Sequence, residues 1–291
     1  MNIIFQHVQY NHEERNKRNN VEESNSWNKK TCRFCKSSNA KFDKKAHAVP
    51  EFLGNKTVFN VDECDACNSA FGNDFEPHLK RFVGPSFFYH LKGKKGWSKT
   101  CGGNGIQLSS FENSQISRAI NIVVKEKPKD SKLEISVKGE EFTPIKVYKS
   151  ILKILLSLIP TKYLEEFEGS FKWLKSGYDF KGLNHAPMVM VGRQPPDPRN
   201  PTIMEISITQ TKEKKGNIYQ LKVKFNNLMI VLPFSPSLKV NFRVGEVIAE
   251  PIAYQSYEFE LIDFSNAVSK TSFMIKLNRL PINLSLVSSL T

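Results

Sequence analysis

The sequence predicts an α+β protein: a small cysteine-stapled module followed by a separate α+β domain with a helix pair and a mainly antiparallel sheet. Three observations carry this. Two Cys-x-x-Cys pairs, Cys32 with Cys35 and Cys64 with Cys67, bracket a segment rich in aromatic and turn residues. Between Pro144 and Pro160 the apolar residues recur at spacings of three and four, the period of a helix with one buried face. The last third breaks into short apolar or alternating segments, the pattern of strands.

Residues 1–30 are expected as a polar N-terminal leader, because NHEERNKRNNVEESNSWNKK over 11–30 has no apolar period. The module occupies 31–105. It runs into a Gly/Lys/Ser-rich stretch over 92–110, where GKKG and CGGNG cannot build a core, and this places the domain boundary near residue 105. Residues 106–291 form the accessory domain, for targeting, dimerisation or regulation. Strands are expected at 116–124 and 133–137. Pro144 then opens a helix with Tyr148, Ile151, Leu152, Leu155 and Ile159 on one face and Lys146, Lys149 and Lys153 elsewhere. Pro160 stops it. Thr161 caps a second helix, whose apolar residues are Leu164, Phe167, Phe171 and Leu174, and Gly177 ends that run. Further strands are expected at 188–192, 203–209, 218–225, 228–233, 244–252 and 273–277, with QPPDPRNP at 194–201 as an irregular loop.

The formal net charge of +13 attracts polyanions, nucleic acid and anionic membrane being the two candidates, unless it reflects only a lysine-rich composition. The longest apolar stretch, 151–159, carries Lys153 and is too short to span a bilayer. The first residues show no secretory signal, so a cytoplasmic location with no membrane partner is expected. In that compartment the five cysteines are reduced thiols or metal ligands rather than disulfides. Two knuckles of soft thiolates suit one structural Zn²⁺ in a closed tetrahedral shell. Redox pairs or an iron–sulfur cluster are the competing readings, although a thioredoxin-like βαβ context is missing. Cys101 has no partner in sequence and is an ordinary thiol.

Around the second knuckle the pattern becomes more specific. The order C-x-x-C, H-x-x-P, L-G, C-x-x-C-N and F-G, read from Cys32, His47, Leu53, Cys64 and Phe71 onward, resembles the HNH endonuclease family. This is the zinc-bearing branch of the ββα-metal nucleases, and the resemblance covers about residues 31–80. It implies a ββα-metal module in which His47 is the general base for the attacking water. Asn68, just after the second knuckle, would bind a catalytic Mg²⁺ or Mn²⁺, and Asn60 would orient the histidine. Many members carry Asp or His immediately before the base as a second ligand, whereas this chain has Ala46. His78, Glu76, Asp43 or water would then complete the catalytic cation's shell, with His78 the first choice. The other histidines, His7, His12, His90 and His185, have no such surroundings in sequence.

After the helix that follows the second knuckle, Lys80, Arg81, Lys92, Lys94, Lys95 and Lys99 interleave with Phe87, Phe88, Tyr89 and Trp97. Cations on a glycine-rich loop can follow a phosphate backbone and aromatics can stack on bases, although a buried aromatic strand beside a solvated loop has the same composition. The function expected is metal-dependent hydrolysis of DNA, with RNA second, in phage defence or a mobile element. A homodimer or partner protein would use the accessory domain. The alternatives are a non-catalytic zinc-dependent nucleic-acid-binding protein, which Ala46 favours, and a nuclease effector gated by a ligand.

Overall fold

In a computed structural model of the chain, the described residues are 1–10, 31–84, 140–183, 185–193, 202–214, 216–225, 228–238 and 258–266, with the strand segments 92–93, 96–97, 106–108, 117–120, 122–124, 132–138 and 272–278. The architecture is α+β, with few helices and antiparallel sheets. The first element is a strand, β1 (Asn2–Tyr10). It pairs antiparallel with residues 202–210, so the expectation of a polar leader over 1–30 is corrected for its first ten residues. The rest of that leader lies outside the described residues.

The cysteine module contains β2 (Ala46–His47), β3 (Phe59–Asn60), α1 (Asp65–Asp74) and α2 (Glu76–Val83). β2 and β3 pair antiparallel, placing Ala46 opposite Asn60 and His47 opposite Phe59. After the module come two short pairs, β4 (Lys92–Gly93) with β5 (Gly96–Trp97) and β6 (Ile106–Leu108) with β7 (Ser117–Ile120). Then follow β8 (Ile122–Val124) and β9 (Lys132–Lys138). The boundary expected at residue 105 lies outside the described residues, as do Cys101 and the segments 194–201 and 244–252.

The prolines bound the first helix and the glycine ends the second, but the second begins at Glu168 and not at a Thr161 cap. α3 (Pro144–Leu158) begins with proline in its first turn, where the missing N–H is no loss, and it stops before Pro160. Residues Thr161–Phe167 form a 3-10 turn that leads into α4 (Glu168–Ser176). Gly177 closes α4, its N–H donating 2.8 Å to the Trp173 carbonyl.

The main sheet adds β10 (Met188–Arg193), β11 (Thr202–Glu213), β12 (Gly216–Phe225), β13 (Leu228–Phe234) and β14 (Glu258–Asp263), in the order β1-β11-β12-β13-β10-β14. β15 (Ser272–Asn278) joins β9 and β8 in a smaller sheet. Period-two alternation assigns the faces. Met204, Ile206 and Ile208 of β11 and Tyr219, Leu221, Val223 and Phe225 of β12 are buried together, with Glu205, Ser207, Lys222 and Lys224 on the opposite side. β13 is buried along its whole length, because Met229 and Val231 join Met190 in a second apolar cluster. Among the described residues no helix is long and apolar enough to cross a membrane.

α3 joins the two parts. Its apolar residues Tyr148, Ile151, Leu152 and Leu155 belong to a single core cluster that includes the sheet face together with Cys32, Phe34, Phe71 and Leu79 of the cysteine module. Every residue from Val147 to Leu158 is buried, including Lys149 and Lys153. The lysine face expected to lie off the apolar stripe is therefore turned onto the module. Lys146 pairs with Asp74 at the end of α1. The Lys149 ammonium stands 5.3 Å from the centre of the Phe75 ring and 5.2 Å from Trp173, a cation–π arrangement that offsets part of its lost hydration. At the far end the Arg33 guanidinium donates to the carbonyls of Leu156, Ser157 and Ile159 at 2.9, 2.8 and 3.1 Å. A cation there satisfies orphan carbonyls and complements the helix dipole. Asp62 holds the same guanidinium from the other side at 2.8 Å.

Candidate active site

The four cysteines converge. Their Sγ atoms all lie within 4.8 Å of one another, with Cys32 and Cys67 at 3.9 Å and Cys35 and Cys64 at 3.7 Å. Four sulfurs at about 2.3 Å from a tetrahedral Zn²⁺ stand about 3.8 Å apart, so the residues fit that ion. The first knuckle turns sharply at Lys36, whose φ of 60° is in the left-handed region and whose N–H donates 2.8 Å to the Cys32 carbonyl. The Cys64 N–H donates to the Cys32 sulfur at 3.4 Å, which suits a thiolate. A hydrogen bond from the Cys67 thiol draws Cys32 below the ordinary thiol range, and the same contact pushes Cys67 up. Thiols crowded this way share protons that a dication displaces. The cluster could hold a metal ion, with no open position for chemistry once four ligands are in place.

The second knuckle starts α1 and fixes the strand beside it. The Asp65 carboxylate accepts the backbone N–H of Lys44 at 3.0 Å and of Asp43 at 3.3 Å, just ahead of β2. β2 ends on His47, half-buried, its ring 4.8 Å from that of Phe59 on β3. Ala46 is buried, so the position before the imidazole belongs to the interior. A 3-10 turn over Glu51–Leu53 follows, closed by Gly54 at a φ of 89°.

That turn delivers Asn55, which is fully buried. Its Oδ1 accepts the N–H groups of Thr57 at 3.1 Å and Val58 at 2.9 Å, and its Nδ2 donates to the carbonyls of Val49 at 2.7 Å and Val58 at 2.8 Å. These four partners fix which end of the carboxamide is which. Nδ2 also lies 3.3 Å from His47 Nδ1, so the carboxamide holds the ring in place while its two hydrogens serve the carbonyls. β1 braces the same loop. The Gln9 side chain donates to the Gly54 carbonyl at 2.8 Å and accepts from Lys56 N–H and the Thr57 hydroxyl, each at 3.0 Å. His7 Nε2 meets the Thr57 hydroxyl at 3.0 Å.

The remaining expected site residues are placed as follows. Asn60 Nδ2 donates to Glu63 at 3.2 Å, and the carboxamide of Asn55 lies against the imidazole. Asn55 has a sequence signal of its own, since Gly-Asn followed by two backbone donors is an Asx turn. Asn68 is half-exposed on the first turn of α1, the helix that touches β2. His78 turns toward α3 instead: its Nδ1 accepts the Thr143 N–H at 2.9 Å. Burial holds its basicity below the usual histidine range. Burial also raises the Glu76 carboxyl, with the Lys153 charge opposing that shift. Among the described residues the four cysteines are the one converging group of three or more Cys, His, Asp or Glu side chains.

Of the cations expected to hold nucleic acid, Arg81 pairs with Glu140 at 3.5 Å, Lys80 is half-buried in the last turn of α2, and Lys92 sits in β4 opposite Trp97. Lys94, Lys95 and Lys99 lie outside the described residues. Nearer to His47 are three exposed lysines that the sequence reading passed over: Lys44 and Lys45 ahead of β2, and Lys56 after Asn55. The Lys45 ammonium lies 5.6 Å from the centre of the same Phe59 ring that His47 packs against.

Residues 32–83 match a family model described as HNH endonuclease. The match opens on the first knuckle and closes with α2, and so takes in β2, β3 and both module helices. No curated protein and no solved structure matches the chain.

Proposed function

We propose that this protein is a metal-dependent nuclease that hydrolyses DNA phosphodiester bonds, with His47 as general base. The observation that carries the proposal is the His47 imidazole, set at the end of β2 with Asn55 fixed against Nδ1, inside a segment matching the HNH endonuclease model. A water attacks phosphorus and gives its proton to the His47 imidazole, and the bond to the leaving 3′ oxygen breaks, that oxygen taking a proton from solvent. Asn55 holds the ring at Nδ1 and Phe59 limits its rotation. The Asn68 carboxamide would hold a Mg²⁺ or Mn²⁺, which when bound supplies charge to offset that growing on the phosphate. The four cysteines would hold Zn²⁺ as a scaffold ion. Lys44, Lys45 and Lys56 contact phosphates on either side of the scissile bond, giving affinity without sequence information.

Supercoiled plasmid incubated with zinc-loaded protein and Mg²⁺ or Mn²⁺ is expected to become nicked or linear, and to stay intact in excess chelator. Zinc-dependent, salt-sensitive binding with no cleavage under any divalent cation would identify a nucleic-acid-binding protein instead.

A further inference from the structure

Lys153 lies on α3, well beyond the segment matching the nuclease family, and yet it reaches the residue proposed as the base. Its ammonium donates 2.7 Å to the backbone carbonyl of His47 and stands 3.2 Å from Glu63 Oε2. The two side chains are 3% and 0% exposed. Glu63 Oε2 also accepts from Asn60 Nδ2 at 3.2 Å, and Asn60 is the residue opposite Ala46 in the β2–β3 pair. A closed circuit therefore runs from α3 through Glu63 and Asn60 to β3, across the strand pair to β2, and back through the His47 carbonyl to Lys153.

Burying an ammonium and a carboxylate costs several kcal/mol of hydration per ion, which their attraction repays only with good geometry. An apolar pair of similar volume would pack this interface at no such cost. What the ion pair adds is direction: a donor aimed at one carbonyl, on the residue whose side chain must be aimed. We propose that Lys153 is a positioning residue for the nuclease reaction, holding the His47 backbone so that its imidazole faces the scissile phosphate. The helix outside the nuclease segment thereby becomes part of the catalytic apparatus. This rests on the reading of His47 as base.

The test uses the full-length, zinc-loaded protein. Lys153→Met alone strands a buried carboxylate, so the informative variant is Lys153→Met combined with Glu63→Gln, which leaves no unpaired charge and keeps an acceptor for Asn60. Single-turnover cleavage at saturating protein is expected to slow about a hundredfold, the scale of an ångström-sized misplacement, with DNA affinity and zinc content at parental values. A purely structural role would lower zinc content and the thermal midpoint without separating rate from affinity. A folded, zinc-replete double variant cutting at the parental rate would overturn the proposal. Should that variant not fold, Lys153→Arg decides: it keeps the charge beside Glu63 but moves the donor off the carbonyl, so slower cutting supports the proposal and parental cutting overturns it. His47→Ala is run alongside. If it still cuts, the base reading itself has failed; if it is dead while the Lys153 variants cut normally, only the positioning role has failed.

Discussion

Asn55→Ala should unfasten the turn that aims His47, and the structure gives the size of the effect. The carboxamide makes four backbone hydrogen bonds, to Val49 O, Val58 O, Thr57 N and Val58 N, in a fully buried position. At about 1 kcal/mol each these amount to about 4 kcal/mol, and the stranded backbone groups keep the cost from falling much below that. Whole domains are stable by only about 5–15 kcal/mol, so such a loss is easily seen. Asn60→Ala makes the control: it removes one bond to the Glu63 carboxylate, about 2 kcal/mol. The assay is urea unfolding of the zinc-loaded proteins, with cleavage measured on the fraction that stays folded. Asn55→Ala should show roughly twice the loss of Asn60→Ala, and cleavage should fall about a hundredfold from the misaimed imidazole. A loss below about 1 kcal/mol for Asn55→Ala would mean that the four bonds are made equally well by water, and the reasoning fails.

Three further outcomes are expected. Removing metal with a chelator should lower the thermal midpoint sharply, and zinc added back should restore it, because ligands and site assemble together; an unchanged midpoint in protein shown to be metal-free would refute the scaffold role. His185 is buried with its Nε2 2.8 Å from the Tyr148 hydroxyl, and burial holds it down to about 4, against 6.5 when free. The folded chain thus binds fewer protons than the unfolded one between those values. Its contribution is complete above about pH 6.5, is lost as pH falls toward 4, and is on the order of 3 kcal/mol. Comparing urea midpoints at about pH 7 and pH 5, His185→Gln should lose less stability on acidification than the parent, and equal losses would dismiss the idea. Lys45→Ala should weaken DNA binding and lower the slope of log affinity against log salt by about 1, an unchanged slope showing that Lys45 touches no phosphate.

Local signals were the legible ones. Pro144 and Pro160 bound α3 because proline cannot sit in a helix interior. The strands β10 to β13 follow from alternating or continuous apolar runs. Paired cysteines declared the metal site, and His47 stood out through its motif surroundings. What stayed hidden depended on partners distant in sequence. β1 is a strand because β11 pairs with it, and nothing within residues 2–10 names that partner. Lys149 and Lys153 resemble a solvated helix face, and only the Phe75 and Trp173 rings, the Glu63 carboxylate and the His47 carbonyl make their burial affordable. Gly54 and Asn55 mark a turn in the sequence, but only the fold shows that this turn lies against His47 while Asn60 is paired in β3. His78 offered an imidazole close in sequence to Asn68, although not on quite the same helix face, and its Nδ1 accepts the Thr143 N–H just ahead of α3.

The proposed role of His47 is to remove a proton from the attacking water. Its most direct test is the single-turnover rate of plasmid cleavage by His47→Ala protein, with zinc content and DNA affinity matched to the parent and Mg²⁺ or Mn²⁺ supplied. The rate is expected to fall at least about a hundredfold, the scale of losing a general base, with binding unchanged. Cleavage at the parental rate would contradict it.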